Sequence, residues 1–120
     1  MKEEFIVIPN SKFVDVFNIK IHYKDIGFGK NIFLLIHGFG AGTFSFDPIF
    51  ENLSRFGRVV ALDLPGFGLS KRPPKNLNGI NPYSRYGQVE VLKAFIEKLD
   101  LKDIVLIGHS MGGSLLKILM

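Results

Sequence analysis

IVLIGHSMGGSLLKILM, residues 104–120, decides how this chain folds. A short apolar, largely β-branched run leads into a Gly-rich turn, and a second apolar run follows. That succession predicts a strand, a tight turn and a helix. Inside the turn lies Gly108-His109-Ser110-Met111-Gly112, a G-x-S-x-G pentapeptide. A strand that turns sharply into a helix holds the central residue in a strained backbone, so the Ser110 hydroxyl projects from the tip of the sheet. The flanking positions must be small because strand and helix approach closely there. The new helix also leaves free N–H groups beside the serine, where an oxyanion can be stabilised. The pentapeptide alone would arise by chance in roughly 4% of chains this long. Its weight therefore comes from the apolar runs on either side.

Two upstream runs share the character of the first. IFLLI (residues 32–36) and RVVAL (residues 58–62) are almost wholly apolar, as strands of a parallel sheet covered on both faces would be. Each runs into a Gly-rich loop: His37-Gly38-Phe39-Gly40-Ala41-Gly42 after one, Asp63-Leu64-Pro65-Gly66-Phe67-Gly68-Leu69-Ser70 after the other. Ahead of them, residues 13–17 and 19–24 alternate apolar with polar, the period of a half-buried antiparallel ribbon. Residues 5–8 form a short strand candidate ended by Pro9-Asn10, and residues 27–31 a turn. A helix is predicted over 46–55, capped by Ser45, with Asp47 and Pro48 suited to its first turn. A second is predicted over 84–99, with Val89, Leu92, Ile96 and Leu99 as its core stripe. Gly87 weakens that helix by about 1 kcal/mol relative to Ala. Residues 71–82 are a Pro-, Asn- and Gly-rich loop, and 100–103 link into the last strand.

GHSMG, HGFGAG and DLPGFGLS, in their chain order and each at a strand end, resemble the α/β-hydrolase superfamily over residues from about 32 to 116. The resemblance implies an α/β fold, the N-terminal half of a single hydrolase domain over residues 1–120. An antiparallel ribbon leads into a mostly parallel sheet with flanking helices, and the chain stops soon after the nucleophile elbow. It implies Ser110 as nucleophile, where haloalkane dehalogenases and epoxide hydrolases of the superfamily carry Asp. The backbone N–H groups of Phe39 and Met111 would form the oxyanion hole, and the reaction would be acyl transfer on a small-molecule ester or related carbonyl substrate. The serine branch spans esterases and lipases, C–C hydrolases of β-diketones, perhydrolases and acyltransferases. Phe39, Phe44 and Phe67 point to an apolar acyl or ring substrate, and fit aromatic core packing equally well.

The resemblance also orders the triad as Ser, acid, His. Residues 111–120, MGGSLLKILM, contain no Asp, Glu or His. The three histidines stand earlier, at 22, 37 and 109. His22 is expected at a surface or sheet edge, His37 in a structural loop role, and His109 pointing away from the serine. Asp63 is expected to structure its loop rather than act as the triad acid. The expectation is a fragment, inactive by itself, whose partner is the missing C-terminal half. The alternative is a non-catalytic hydrolase-fold module that binds a ligand or a partner.

Composition narrows the rest. At 120 residues, 47% hydrophobic and 22% charged, the chain is one globular domain at most. The absence of Cys removes disulfides, thiolate metal sites and a Cys nucleophile, and no metal or cofactor is expected. Net charge is +4, densest at Lys71-Arg72-Pro73-Pro74-Lys75, which reads as a solvated loop and not as a nucleic-acid surface. No run suits a signal peptide or a membrane span, so a cytoplasmic location is expected. A rival motif overlaps the first loop: Gly38-x-Gly40-x-x-Thr43 with Asp63 about 20 residues on imitates a dinucleotide fingerprint. Its third position is Thr instead of Gly or Ala, and it leaves Ser110 unexplained.

Overall fold

The computed structural model describes residues 10–38, 41–77, 79–109 and 115. The alternating segment forms a hairpin of β1 (Ser11–Val16) and β2 (Ile19–Ile26), with Val16 opposite Ile19. Its turn residues Phe17 and Asn18 both have positive φ, 51° and 62°. This backbone matches the twist of two tightly joined strands. Asn tolerates it, whereas an aromatic residue there is uncommon. The strand candidate at 5–8 lies outside the described residues.

β3 (Ile32–Ile36), β4 (Arg58–Leu62) and β5 (Ile104–Gly108) form the parallel part of the sheet. β2 pairs antiparallel with β4, giving the order β1-β2-β4-β3-β5. The chain steps from β3 to β4 in one direction, then back across β3 to β5. Because parallel crossovers are right-handed, the two steps put their helices on opposite faces. Those helices are α1 (Asp47–Leu53), entered through a 3-10 turn at Thr43–Phe46, and α2 (Arg85–Lys98). The core divides accordingly. Leu34, Ile36, Val60 and Leu62 pack with Val89, Val91, Leu92 and Phe95 of α2. Leu35, Val59 and Ala61 pack with Phe46 and Phe50 on the α1 side. Consecutive residues of β3 and β4 thus serve alternate layers, which is why neither strand has a polar face.

The helices depart from expectation at their ends. Ser45 does not cap α1; it sits in the 3-10 turn, where its Oγ donates to the Gly42 carbonyl at 2.8 Å, and the cap position falls to Phe46. α1 stops at Leu53, two residues short of the predicted end. α2 begins as predicted, with Ser84 Oγ accepting the Gly87 N–H at 3.0 Å. Its buried face is broader than the four-residue stripe and centres on Val91, Leu92 and Phe95. Leu101 N–H bonds the Ile96 carbonyl and Asp100 N–H the Glu97 carbonyl, both at 3.0 Å, with Asp100 at φ 53°. This is a Schellman closure with Asp where Gly is usual. Of the predicted final helix, only Leu115 lies among the described residues, helical and fully buried.

Candidate active site

Register fixes where the loops meet. Ile36 at the end of β3 lies level with Leu62 of β4 and Gly108 of β5. His37, Asp63 and His109 therefore leave the sheet at one edge, the C-terminal ends of the parallel strands. His109 N–H continues the ladder onto the Ile36 carbonyl at 3.0 Å. After β3 the chain departs towards α1. Beyond β5, Leu115 is buried in the cluster on the α2 face. The two connections diverge, and the crevice between the ends of β3 and β5 is a topological switch point, the usual ligand position in such sheets. Ser110, Phe39 and Met111 lie outside the described residues; their chain neighbours Gly38 and His109 follow the β3 and β5 ends that flank this crevice.

Asp63 organises the edge. Its Oδ1 accepts the Thr43 N–H at 2.7 Å, and its Oδ2 accepts the Leu69 N–H at 3.0 Å and faces His22 Nδ1 at 2.7 Å. One carboxylate thereby ties the loop after β3 to the loop after β4 and both to β2. Ser70 Oγ donates to the Asp63 carbonyl at 2.6 Å and accepts the His22 N–H at 2.8 Å, closing the second loop. Gly68, at φ 51°, is required by contact as well as by conformation: a Cβ there would lie 2.3 Å from Asp63 Cγ. Burial works against a charged Asp63. The His22 hydrogen bond, the Leu69 and Thr43 N–H groups and the charge of His22 outweigh it and hold the carboxyl below its ordinary value. The expected loop-structuring role is what this geometry describes. It also disposes of the dinucleotide motif, because a carboxylate 1% exposed and committed to its own chain has nothing left for a ribose hydroxyl.

His37 is fully buried and committed at both nitrogens. Its Nδ1 lies 2.7 Å from the Gly38 carbonyl, and its Nε2 receives the Leu64 N–H at 3.0 Å. A carbonyl can only accept and an N–H can only donate, so the proton sits on Nδ1. Burial pushes this imidazole below its ordinary pKa, partly offset by the Gly38 carbonyl and the charge of Asp63. Neutral and engaged, His37 fills the structural role expected of it and is not placed to serve as a base. Phe67 packs against its ring at 5.1 Å.

His22 corrects an expectation. It is 1% exposed, not a surface or edge residue. The alternation of β2 turns Ile19 and Ile21 towards α2 and so assigns His22 to the other face. That face is open to solvent in a simple ribbon. Here the loop after β4 folds back along it, pinned by the Asp63 N–H on the His22 carbonyl and the Lys71 N–H on the Lys20 carbonyl, both at 2.9 Å. His109, by contrast, is exposed. Among the described residues no group of three His, Asp or Glu is placed to hold a metal ion, and no helix is long and apolar enough to cross a membrane.

Comparison with known proteins agrees with this architecture. The sequence model of the alpha/beta hydrolase fold family matches residues 31–118. Epoxide hydrolase 2 of Caenorhabditis elegans is 34% identical over 104 residues, covering 86% of this chain and 28% of the relative. The 2-hydroxy-6-oxononadienedioate/2-hydroxy-6-oxononatrienedioate hydrolase 1 of Pseudomonas putida is 36% identical over 112 residues, covering 86% and 37%. Among solved structures, a membrane phospholipase A that is a bacterial virulence factor superposes with a TM-score of 0.81 at 35% identity, covering 91% of this chain and 34% of that one. The chain thus spans about a third of the length of the proteins it resembles.

Proposed function

The chain belongs to the α/β-hydrolase fold family, and from that premise we propose that it carries the nucleophile end of a serine hydrolase acting on ester or related acyl carbonyl bonds of a small molecule. The observation that carries this reading is Ser110 at the centre of the G-x-S-x-G pentapeptide, two residues along the chain from Gly108, which ends β5 level with Ile36 of β3. Relatives of this chain include an epoxide hydrolase, a 2-hydroxy-6-oxononadienedioate/2-hydroxy-6-oxononatrienedioate hydrolase and a phospholipase. A serine at the elbow favours carbonyl chemistry over the epoxide opening that an Asp nucleophile performs. Ser110 Oγ attacks the carbonyl, and the N–H groups of Phe39 and Met111 receive the developing oxyanion. The described residues on either side of Phe39 are anchored: Asp63 accepts the Thr43 N–H and the His37 ring holds the Gly38 carbonyl. Phe44, 60% exposed where the same loop ends, favours an apolar acyl or ring substrate.

The base and acid for Ser110 belong to sequence outside these 120 residues, since 111–120 hold no Asp, Glu or His and His37 is engaged. By itself the 120-residue piece is then inactive at Ser110. The same observation supports a second reading, a hydrolase-fold module that binds without catalysis. Fluorophosphonate labelling followed by tryptic mapping separates the two. The longer protein carrying this chain should take one adduct in the peptide spanning residues 103–117, lost in Ser110→Ala, and the 120-residue piece none at that position. Absence of the adduct from both would leave only the binding module.

A further inference from the structure

A complete hydrogen-bonded serine–histidine–aspartate array does exist among the described residues, and it does not involve Ser110. Ser11 Oγ contacts His22 Nε2, and His22 Nδ1 contacts Asp63 Oδ2 at 2.7 Å. We propose that Ser11 is a second, independent nucleophile on the outer strand of the sheet, able to accept acyl or phosphonyl groups from activated aryl esters.

The assignment of protons follows from the contacts. Asp63 is held in its charged form and can only accept, so the proton between it and His22 lies on Nδ1. When the imidazole is neutral, Nε2 presents a lone pair and the Ser11 hydroxyl donates to it. A hydroxyl donating to an imidazole that a buried carboxylate orients is the recognised arrangement of an activated serine, identified by roles and geometry and not by sequence position. Exposure is graded as the chemistry needs: Ser11 is half-buried, His22 1% and Asp63 1% exposed. The orienting carboxylate is rigid, fixed by the Thr43 and Leu69 N–H groups on its remaining lone pairs.

The surroundings suggest the substrate. Phe13 lies two residues along β1, on the same face as Ser11, with its ring 5.1 Å from that of His22 and 47% exposed. It offers an aromatic surface beside the serine. Lys24 lies opposite Ser11 in the β1–β2 register, its ammonium paired with Asp47 at 2.9 Å. Among the described residues Ser11 has no side-chain hydrogen-bond partner other than His22 to serve as a leaving-group acid, so the substrate must carry a good leaving group, such as a phenolate. In the step, the Ser11 Oγ–carbonyl carbon bond forms, the carbon–aryloxy bond breaks, and the serine proton passes through His22 Nε2 to the departing aryloxide, releasing a phenol. Water then cleaves acyl-Ser11 to the carboxylic acid with His22 again taking the proton. Asp63 touches no substrate and acts as a positioning residue.

The test uses the protein carrying Ser110→Ala, so the other nucleophile is absent. The probe is a fluorophosphonate, and the readout is the tryptic peptide spanning residues 3–12, in which Ser11 is the only hydroxyl side chain. An adduct on that peptide in folded protein, absent after urea denaturation, is expected. His22→Gln should slow its formation at least a hundredfold while leaving Ser11 in place. Thermal melting of each variant separates loss of the base from loss of fold, and the rate should also fall in heavy water, which a purely structural contact would not produce. An unmodified 3–12 peptide from folded protein overturns the proposal, as does an adduct that forms equally in urea or survives His22→Gln in a folded variant.

Discussion

Asp63 and His37 are coupled to pH in the same sense, and the edge they hold should loosen in acid. Both carry folded-state pKa values depressed from ordinary ones of 3.8 and 6.5. For His37, the unfolded chain takes up a proton near pH 6.5 and the buried imidazole does not. Its contribution is whole above that value and declines as pH falls towards the folded pKa. For Asp63, stabilisation is whole above 3.8 and is lost as pH falls through the depressed folded value. Urea midpoints measured from pH 8 to pH 3 should hold steady above about pH 7, fall first through the His37 window, and fall again at the acid end. A midpoint level from pH 7 to pH 4 would contradict the His37 assignment. What could be read from sequence differs between these residues and His22. Asp63 and His37 stand inside motifs whose glycines already imply tight loops. His22 stands in a strand, and its burial comes from a segment more than 40 residues away that no period-two pattern reports.

At the scale of elements, Gly87 reverses the sign that helix propensity alone gives. Ala at a helix interior is favoured over Gly by about 1 kcal/mol. Yet a Cβ at Gly87 would lie 1.8 Å from the Asn81 carbonyl oxygen and 3.0 Å from Pro82 Cα, backbone atoms that cannot swing aside. Gly87→Ala should therefore destabilise by roughly 1–3 kcal/mol, the usual cost of overpacking. Asp100→Gly, at the other end of α2, should stabilise by about 0.5–1 kcal/mol by removing a Cβ from a left-handed backbone. Chemical denaturation of the two variants checks both, and a stabilised Gly87→Ala would mean that the 81–82 segment does not rest on the helix. The existence and span of α2 were legible because Ser84, the apolar spacing and the run 89–99 agree locally. The reason for Gly87 was not, because it lies in a contact between the helix and the chain that leads into it.

At the scale of the whole molecule, the sheet is unequally protected. β3 and β4 are sealed by helices on both faces, with Leu34, Leu35, Ile36 and Val59–Leu62 at 0% exposure. β5 has the same apolar sequence but is the terminal strand of the sheet among the described residues, and Val105 is 47% exposed. An apolar run of that kind reads as a strand covered on both faces. A long apolar edge with unpaired N–H and carbonyl groups is a template for another chain. The 120-residue chain in isolation should accordingly self-associate, with weight-average mass rising with concentration in sedimentation or light scattering. Val105 projects on the α1 side, in register with Phe33, and its exposure leaves it outside the packed layer there. Val105→Lys should therefore shift the distribution towards monomer with little loss of stability, because a charge on an exposed edge position opposes strand pairing without entering the core. If the unsubstituted chain instead sediments as a monomer at every concentration and melts cooperatively, the outer edge of β5 must already be satisfied within the chain.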